Sequence, residues 1–407
     1  MDDISLENKQ RLRILMLHNR YQYLGGEDVS TLEEVDLLRR YGHFVRLAER
    51  TNDDIEGFSV LQKIDLFLSS AWSTRSTEWL RSKLEELSSL DLLHVQNFFP
   101  LFSPSVHQAA KKKGIPTVQH LRNFRLGCLN AYLFREGRVC EVCVGHNPWQ
   151  GVRHRCYRQS LAASLSVWQM IMFNRLRRTW YRDVDAFITP SQFAANKLVE
   201  IGIPEERLYV KPNFLPDPLI DQQILPLPQR PTFLYLGRLS PEKGLLTVLK
   251  AWQQLSQSDW QLLVVGDGAQ RIELANFCVE RQLVGVSFLG YQPKSAVVQL
   301  IQQATAVLVP SLWYETFGRV VVEAFACGRP VLVSDLGALT ELVEEGKTGF
   351  RIKPGEVFDW QEKLQWAADH PIGLARMGQM ARHVYLEKYT PEINYKYLME
   401  IYDRVLR

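Results

Sequence analysis

The sequence predicts an α/β protein made of two doubly wound domains, each a parallel sheet covered by helices. Short apolar segments alternate with helix-length segments along nearly the whole chain of 407 residues, a pattern typical of parallel sheets with right-handed crossovers. A proline-rich stretch around residues 212–230 interrupts this alternation and indicates a linker. A chain of this length is also long enough for two complete hydrophobic cores.

Each predicted domain is defined by its own series of strands. The first series comprises residues 13–17, 91–95, 116–119 and 186–189, with a helix predicted over residues 29–40. The second series comprises residues 233–237, 261–266, 286–290, 306–309 and 330–333. We therefore expect an N-terminal domain over residues 1–212 and a C-terminal domain over residues 213–389. A final helix with one apolar face is predicted over residues 390–407.

Composition and charge argue against several classes of protein. The net charge is only +3, so the chain lacks the strongly basic character of nucleic-acid-binding proteins, and we expect no nucleic-acid partner. No apolar segment is long enough to cross a bilayer, and the polar N-terminus MDDISLENKQ has no signal-peptide core. We therefore expect a cytoplasmic protein in which the six cysteines are reduced.

The most informative segment, PSLWYETFGRVVVEAFACGRP, spans residues 310–330. It places Glu315 and Glu323 on either side of the dipeptide Phe317-Gly318, where a strand, a tight loop and a helix N-terminus meet. Open α/β sheets bind ligands at such junctions, and backbone N–H groups at a helix start attract anions. The pattern favours an anionic ligand with hydroxyl groups, such as a nucleotide sugar, over two unconnected surface carboxylates.

Other motifs at predicted strand ends carry cations or glycines. In GRLSPEKG, Arg238 offers a planar fork and Lys243 a compact charge, and together they can neutralise a diphosphate. Gly266, in VVGDG, permits close approach of a ligand, although a simple tight turn explains it equally well. Gly25 and Gly26 can bring backbone amides against a phosphate. The G-x-G-x-x-G spacing of nicotinamide-binding proteins is absent there, so that class of ligand is poorly supported.

Together these motifs resemble those of glycosyltransferase family 4, whose members are retaining nucleotide-sugar enzymes of the GT-B fold. The resemblance extends through nearly the whole chain. It includes FLGYQ and PVLVSD in the second half, and LGGED, DLLHVQNFF and TVQHLRNFRLGC in the first. It implies two Rossmann-like domains facing across a cleft that closes around the donor, with the last helix crossing back to the first domain.

The resemblance implies how the nucleotide part of a donor would be held. Arg238 and Lys243 would hold the diphosphate, where preorganised cations stabilise the negative charge that develops as the glycosyl–phosphate bond breaks. Gly25 and Gly26 would contact phosphate from the N-terminal domain. Glu323 would bind the ribose hydroxyls.

The resemblance also implies how the transferred sugar would be held. Glu315 and the amides around Phe317 and Gly318 would bind it, and His120 would lie near the reacting sugar. No nucleophilic carboxylate stands out in the N-terminal half, so we expect substitution on the same face of the sugar, with the leaving phosphate helping to deprotonate the acceptor. No cofactor is expected for catalysis, because the Asp-x-Asp string at residues 183–185 fits a helix end and strand entry better than a metal site.

The expected activity is transfer of a hexose from a nucleotide-diphosphate sugar to a glycan or lipid-linked acceptor, in surface polysaccharide or glycoconjugate synthesis. Three alternatives stay open: a sugar-nucleotide epimerase of the GT-B type, a non-catalytic nucleotide-sugar-binding protein, and a nucleic-acid-modifying glucosyltransferase. The intact set of two cations and two carboxylates argues against the second alternative. The modest net charge argues against the third.

An insertion over residues 127–160 contains four of the six cysteines. They are Cys128, Cys140, Cys143 and Cys156. A C-x2-C pair flanked by two further cysteines is compatible with a tetrahedral structural zinc site, with His146 and His154 as alternative ligands. The other interpretation is four reduced thiols packed in an insertion that shapes the acceptor pocket.

Residues 161–182 are predicted to form one amphipathic helix with tryptophans beside a cluster of arginines. Such a helix can lie on an anionic membrane, which would suit a lipid-linked acceptor and a peripheral position on the inner face of the membrane. The other interpretation, a core helix with a solvated basic face, is slightly favoured.

Overall fold

The structure of the protein, a computed structural model, describes residues 11–20, 25–55, 57–87, 89–220, 222–255 and 259–407. Two six-stranded parallel sheets and one two-stranded hairpin form its framework. The N-terminal segment MDDISLENKQ and Leu24 of the LGGED motif lie outside the described residues. The predicted architecture of two doubly wound α/β domains is confirmed.

The first domain is built on the first sheet, in the order β2-β1-β3-β4-β7-β8. Its strands are β1 (Arg13–Arg20), β2 (Phe44–Thr51), β3 (Leu92–Asn97), β4 (Thr117–His120), β7 (Ala186–Thr189) and β8 (Leu208–Val210). The hairpin in the cysteine-containing insertion pairs β5 (Phe134–Arg135) with β6 (Arg138–Val139). Every residue of β3, β4 and β7 is buried, as expected for central parallel strands covered on both faces.

Eight helices of the described chain accompany this sheet. They are α1 (Gly26–Arg40), α2 (Val60–Ser69), α3 (Thr74–Glu86), α4 (Ser105–Lys111), α5 (Trp149–Arg153), α6 (Leu161–Leu176), α7 (Thr179–Arg182) and α8 (Gln192–Ile201). The prediction of one helix over residues 161–182 is wrong, because Arg178 adopts a left-handed backbone conformation (φ 57°) between α6 and α7. Trp180 also packs in the core against Phe98 and Phe187.

The second domain is built on the second sheet, in the order β11-β10-β9-β12-β13-β14. Its strands are β9 (Thr232–Leu236), β10 (Gln261–Val265), β11 (Val286–Gly290), β12 (Ala306–Val309), β13 (Val331–Ser334) and β14 (Gly349–Ile352). The helices that follow are α9 (Leu245–Gln253), α10 (Arg271–Glu280), α11 (Lys294–Gln302), α12 (Arg319–Ala326), α13 (Leu339–Leu342), α14 (Val357–Asp369), α15 (Pro371–Lys388) and α16 (Pro391–Leu406).

The sequence analysis missed the short hairpin of β5 and β6. In the two six-stranded sheets it identified every central strand and missed β2, β8 and β14. These three lie at sheet edges, where one side of the strand is unpaired. β2 alternates exposed and buried residues, and β8 has only three residues, none of them buried. Neither has the continuous apolar run that marks a central parallel strand.

The last helix, α16, packs against the first sheet although it follows the second domain in sequence. Tyr395, Leu398 and Tyr402 are buried in the same core cluster as residues of β1 and α1. Polar contacts reinforce the packing, since the Tyr402 hydroxyl lies 2.7 Å from Nδ1 of His94 and the Tyr395 hydroxyl lies 2.9 Å from Nε2 of His43. α16 therefore ties the two domains together. In the described chain, no helix combines the length and apolar character needed to cross a membrane.

Candidate active site

Two loops, one following β9 and the other following β10, come together at the carboxyl end of the second sheet. Gly237 and Arg238 follow β9, and a single turn of 3-10 helix, Pro241–Lys243, leads into α9. Gly266 follows β10 with a left-handed backbone (φ 132°), and a side chain there would overlap the carbonyl group of Gly237. Glycine at this position therefore allows the two loops to pack closely.

Glu315 lies in the loop between β12 and α12, and Lys243 reaches it from the loop after β9. The Lys243 Nζ atom lies 2.6 Å from Glu315 Oε1, and Ser311 and Trp313 donate hydrogen bonds to the same oxygen at 2.8 and 3.0 Å. Burial would raise the pKa of Glu315, but the Lys243 ammonium and the three hydrogen bonds lower it below its usual value. Every hydrogen bond that Glu315 accepts from described residues ends on Oε1, and Oε2 accepts none of them.

Arg238 lies on the same loop as Lys243 but in a more open position. Its guanidinium pairs with Glu242 at 2.9 Å, and 52% of its side chain is exposed. Tyr132, which belongs to the insertion in the first domain, lies near Arg238 and helps to raise its pKa. Both cations of this loop are thus paired with a carboxylate, and Arg238 is the more accessible to solvent of the two.

Glu323 lies one turn into α12, which begins after Gly318 in a left-handed conformation (φ 99°). Arg319 Nε donates to Glu323 at 3.1 Å. The two terminal amino groups of Arg319 donate to the carboxylate of Glu33 in α1, each at 2.9 Å. Lys294 also pairs with Glu33, at 3.1 Å. Burial raises the pKa of Glu323, and its ion pair with Arg319 opposes that change. The start of α12 is therefore tied to the first domain.

The loop that carries Glu315 is contacted by several segments of the first domain. Thr316 Oγ1 donates to the carbonyl oxygen of Arg122 at 2.9 Å, and Ser191 Oγ donates to the carbonyl oxygen of Thr316 at 2.8 Å. The Tyr132 ring packs edge-on against Trp313, with 4.9 Å between centroids. The two domains are thus closed over this loop, and Phe317 is buried in the core of the second domain rather than facing the cleft with its side chain.

His120 lies at the carboxyl end of β4 and is buried. Its ring stacks on His94 with 5.7 Å between centroids, and its Nδ1 lies 3.9 Å from Glu34. Neither ring nitrogen has a hydrogen-bond partner among the described residues, which is uncommon for a buried polar group. Burial, reinforced by the charge of Arg122, lowers the pKa of His120 well below its usual value, so the imidazole is neutral.

Next to His120, Glu34 forms a buried charge network. It accepts from Lys211 at 2.7 Å and from Gln96 at 2.6 Å. Burial would raise the pKa of Glu34, but Lys211 and neighbouring charges lower it to about 2. One candidate ligand atom from each of Glu34, His94 and His120 lies within 4.8 Å of the others. A divalent cation is nevertheless disfavoured there, because Lys211 already supplies a buried positive charge.

Gly25 and Gly26 mark the start of α1. The N–H of Gly25 donates to Asp28 at 2.8 Å, and Asp28 also pairs with His18 at 2.8 Å, so this amide is used within the helix cap. A side chain at Gly26 would meet nothing within 4 Å, so this position is open. The same helix reaches Arg319 of the second domain through Glu33.

The Asp-x-Asp string lies where α7 ends and β7 begins. Asp185 accepts the backbone N–H of Thr117 at 2.8 Å and pairs with Lys111 at 3.4 Å. The backbone carbonyl of Asp183 accepts from the Thr117 hydroxyl at 2.9 Å. These contacts agree with the interpretation of the string as a helix end and strand entry.

The four cysteines of the insertion line one cavity of ≈ 20 Å³. His146 and His154, the alternative ligands, are exposed and do not line it. Burial raises the pKa of Cys143 to about 11 and also raises that of Cys128, so these thiols are not predisposed to act as nucleophiles. Cys327 is buried in the core of the second domain.

Two known families match adjacent parts of the chain. The family described as Glycosyltransferase Family 4 matches residues 24–217, and the family described as Glycosyl transferases group 1 matches residues 218–384. The chain belongs to the GT-B glycosyltransferases.

Named relatives of this glycosyltransferase match it over part of their length. The alpha-D-kanosaminyltransferase of Streptomyces kanamyceticus is 29% identical over 167 residues, covering 40% of this chain and 43% of that protein. The D-inositol 3-phosphate glycosyltransferase of Nocardia farcinica is 35% identical over 167 residues, covering 38% of this chain and 36% of that protein. Less than half the length of these relatives is therefore matched.

Among solved structures, the glycosyltransferase is similar to Anabaena Alr3699/HepE in complex with UDP-glucose. The TM-score is 0.67 at 19% identity, and the match covers 96% of this chain and 99% of the Anabaena chain. The likeness extends across both domains and confirms the predicted GT-B fold.

Some residues of the glycosyltransferase site were missed by the sequence analysis. Arg319 directly follows Gly318 at a predicted helix start, so its position next to Glu323 could have been recognised from helical spacing. Glu33 could not, because it pairs with Arg319 across 286 residues of sequence. Tyr132, which contacts Arg238 from the insertion, carries no local signal either.

Proposed function

We propose that this glycosyltransferase is a retaining, metal-independent hexosyltransferase. It takes its sugar from a nucleotide diphosphate and passes it to a glycan or lipid-linked acceptor in surface polysaccharide or glycoconjugate synthesis. The observation that carries the proposal is the 2.6 Å contact between Lys243 and Glu315 in a loop over which the first domain closes. This contact puts a cation suited to a diphosphate beside a carboxylate suited to sugar hydroxyls.

The donor would lie between the two loops of the second domain. Lys243 and the exposed Arg238 bind the diphosphate, and Glu315 uses Oε2 to accept a hydrogen bond from a sugar hydroxyl. Glu323, held in place by Arg319, accepts hydrogen bonds from the ribose. The UDP-glucose complex of Anabaena Alr3699/HepE, which has the same fold, supports a nucleotide-sugar donor.

The reaction breaks the bond between the anomeric carbon and the diphosphate oxygen and forms a bond to an acceptor oxygen on the same face. The leaving diphosphate takes the electron pair and is stabilised by Lys243 and Arg238, and it accepts the proton of the acceptor hydroxyl. His120 is neutral and unpaired among the described residues, so it can hydrogen-bond to the sugar. Closure of the first domain over the Glu315 loop limits access of water.

The proposal of metal-independent catalysis rests on the charges next to the proposed diphosphate site. Two cations, Arg238 and Lys243, supply there the positive charge that a divalent metal supplies in other transferases. The Asp185 carboxylate is engaged by Thr117 and Lys111. It is therefore a poor candidate for holding a donor-bound metal.

A basic surface on the first domain supports a membrane-associated acceptor. The charges around Asp183 come from Arg182, Arg177, Lys111 and Lys112. Next to them in sequence, Leu176 is 79% exposed and Tyr181 is 42% exposed. Cations beside exposed apolar side chains suit an anionic membrane surface, on which the protein would lie peripherally on the cytoplasmic face.

The donor proposal is tested by thermal unfolding in the presence of UDP-, GDP-, ADP- and dTDP-sugars, with and without EDTA. One nucleotide should raise the unfolding temperature, and the shift should persist in EDTA. Lys243→Ala should reduce the shift, whereas Lys83→Ala, which removes an exposed ion pair on α3, should not. Absence of a shift with all four donors would contradict the proposal and favour a protein without donor binding.

Proton NMR of the product with the identified donor would test the reaction type. Retention predicts that the anomeric configuration of the donor sugar appears in the product, and that nucleotide is released only when an acceptor is present. Release of nucleotide with epimerised free sugar, and no acceptor, would instead identify a sugar-nucleotide epimerase.

The membrane proposal is tested by sedimentation with vesicles containing anionic lipid. Binding should be strong at low salt and weak at high salt, because the contact is largely electrostatic. Lys112→Glu should weaken it, and Lys83→Glu on α3 serves as the control. Equal binding to neutral vesicles would contradict this part of the proposal.

A further inference from the structure

The insertion in the first domain has little regular structure to hold it in place. Its described elements are two strands of two residues each and α5, which has five residues. Among the residues that the structure describes, eight residues other than glycine have a left-handed backbone, and six of them lie here: Ala131, Leu133, Glu136, Arg155, Arg158 and Gln159. Such conformations are unfavourable for residues with a side chain and persist where the surroundings impose them. A cross-link between its ends would stabilise a segment of this kind.

The four cysteines of the insertion are placed to supply that cross-link. They line the same cavity of ≈ 20 Å³, which has room for one water-sized occupant. They are reduced and form no disulfide. The cavity joins the beginning, middle and end of the insertion, since Cys128 and Cys156 flank the C-x2-C pair of Cys140 and Cys143.

We propose that Cys128, Cys140, Cys143 and Cys156 bind one structural Zn²⁺ ion. Four thiolates are a soft, tetrahedral ligand set that suits Zn²⁺. The thiols surround the cavity more loosely than a bound ion requires, because no three of them lie within 4.8 Å of one another. Binding draws the four sulfur atoms inward and releases their protons to solvent.

The zinc ion positions Tyr132 over the donor loop. Tyr132 lies between Cys128 and Cys140 in sequence and packs edge-on against Trp313 of the donor loop. Trp313 in turn donates to Glu315. This second part rests on the proposed donor site, whereas the presence of the ion does not.

The metal is tested on the full-length protein, purified without chelator or affinity metal and analysed by elemental mass spectrometry. We expect about one zinc per chain, bound to four sulfur atoms at about 2.3 Å by X-ray absorption spectroscopy. A thiol-modifying mercurial should release the zinc, as detected with a chromogenic chelator. Iron in place of zinc, or a metal-free protein that also fails to take up Zn²⁺ or Co²⁺, would overturn the proposal.

A matched pair of variants assigns the ligands. Cys143→Ser should lose most of the zinc, and Cys278→Ser, which alters a half-buried cysteine on α10, should keep it. Retention of zinc by Cys143→Ser would contradict the ligand assignment. If Cys143→Ser fails to fold, zinc content and mercurial release in the unmodified protein still decide whether the ion is present.

The coupling to the donor loop is tested separately by hydrogen exchange. Removal of zinc should increase amide exchange across residues 128–156 and in the loop of residues 311–316, and should raise the KM for the donor more than it lowers kcat. Tyr132→Ala, which removes the ring that packs against Trp313, should keep the zinc and reproduce only the effect on the loop and on KM. Exchange that rises in the insertion alone would show that the ion is structural but not coupled to the donor loop, and would overturn this second part.

Discussion

Each domain contains a glutamate paired with a lysine at nearly the same distance, but the two pairs differ in their remaining contacts. In the first domain, Glu34 and Lys211 are 2.7 Å apart and each is 1% exposed. In the second domain, Glu315 and Lys243 are 2.6 Å apart and are 13% and 22% exposed. The distance between the charges therefore does not distinguish a structural pair from a functional one.

What separates the two pairs is how fully the carboxylate is used. Glu34 accepts from Lys211 on one oxygen and from Gln96 on the other. Glu315 accepts all three of its hydrogen bonds from described residues on Oε1. A buried carboxylate with both oxygens occupied holds chain segments together, whereas one with an oxygen to spare at a partly exposed position can take a ligand.

The wider contacts of the Glu34 pair fit a structural role. Lys211 follows β8 at the start of the linker between the domains, and its Nζ atom also donates to Asn394 of α16 at 3.0 Å. Glu34 belongs to α1. One buried ion pair therefore joins the first helix, the linker and the last helix.

The largest expected effect is on stability, from Glu34→Gln. The substitution leaves the Lys211 ammonium buried without its counter-charge, which should cost about 3–5 kcal/mol of unfolding free energy. Because the pKa of Glu34 is lowered from 4.5 to about 2, its stabilisation is present above pH 4.5 and is lost as the pH falls towards 2. Urea unfolding of wild type and variant at neutral and acidic pH measures both effects. Equal midpoints at neutral pH would refute the structural assignment.

A smaller effect, and one on activity rather than stability, is expected for Glu315→Gln. The amide keeps the shape of the side chain but loses the charge that holds Lys243 and the proposed sugar contact. Transfer from the identified donor should slow by about 10²–10³, and the urea midpoint should stay close to that of wild type. Single-turnover kinetics with saturating donor give the comparison. If Glu315→Gln is unstable but has normal kinetics, the Glu315–Lys243 pair is structural and its assignment to the donor site is wrong.

The two pairs also differ in how far the sequence could predict them. Lys243 and Glu315 each belong to a contiguous motif at a strand end, and parallel strands bring their carboxyl ends to one edge of a sheet. Glu34 and Lys211 are 177 residues apart and neither lies in such a motif. Glu34 occurs on a predicted amphipathic helix, where an acidic residue is usually solvated. Its burial results from the packing of α1 against β3, the linker and α16.

Features with a local signal in the sequence were predicted, and features that depend on distant residues were not. Central strands were found because continuous apolar runs mark them, and the four cysteines were found because their spacing is local. The break at Arg178 was missed because a left-handed residue other than glycine leaves no signal in sequence. Neither ring nitrogen of His120 has a partner among the described residues, and this likewise depends on how β3, β4 and α1 pack together.

Glu323 is less fully paired than Glu34 and more exposed than Glu315. Among the described residues its hydrogen-bond partner is Arg319, and 26% of its side chain is exposed. Glu323→Gln should weaken nucleotide binding about tenfold, as expected for loss of a charge-assisted hydrogen bond. The pKa of Glu323 is raised, so wild-type affinity should fall with decreasing pH at values above those of an ordinary glutamate. Calorimetric titration from pH 5 to 8 measures the nucleotide affinity of wild type and variant at each pH. A tenfold difference in affinity corresponds to about 1.4 kcal/mol of binding free energy. The same pH profile in wild type and variant would exclude Glu323 as the titrating group.

The smallest expected effect comes from Glu33→Gln. This substitution tests whether the Glu33–Arg319 pair, which joins the two domains, behaves like the Glu34–Lys211 pair or like the Glu315–Lys243 pair. Glu33 binds Arg319 through both oxygens and also contacts Lys294, but Lys294 is 65% exposed. Solvent screens the Lys294 contact, whereas the side chains of Arg319 and Glu33 are only 17% and 14% exposed. Glutamine keeps one oxygen that can accept from Arg319, so the free energy of donor binding should change by about 1 kcal/mol. The part of this change that comes from Lys294 should decrease as salt is raised. The measurement is donor affinity at low and high salt, with Glu344→Gln, in an exposed pair within one domain, as the control.

The direction of the Glu33→Gln effect is informative as well as its size. If the pair mainly closes the cleft, its loss should weaken donor binding, because less of the protein is in the closed, binding-competent arrangement. If Arg319 must leave Glu33 in order to orient Glu323 towards the ribose, the same substitution should strengthen binding. Both outcomes require a salt-dependent difference from wild type. An unchanged affinity at low salt would mean that the Glu33–Arg319 pair does not contribute to the domain arrangement that binds the donor.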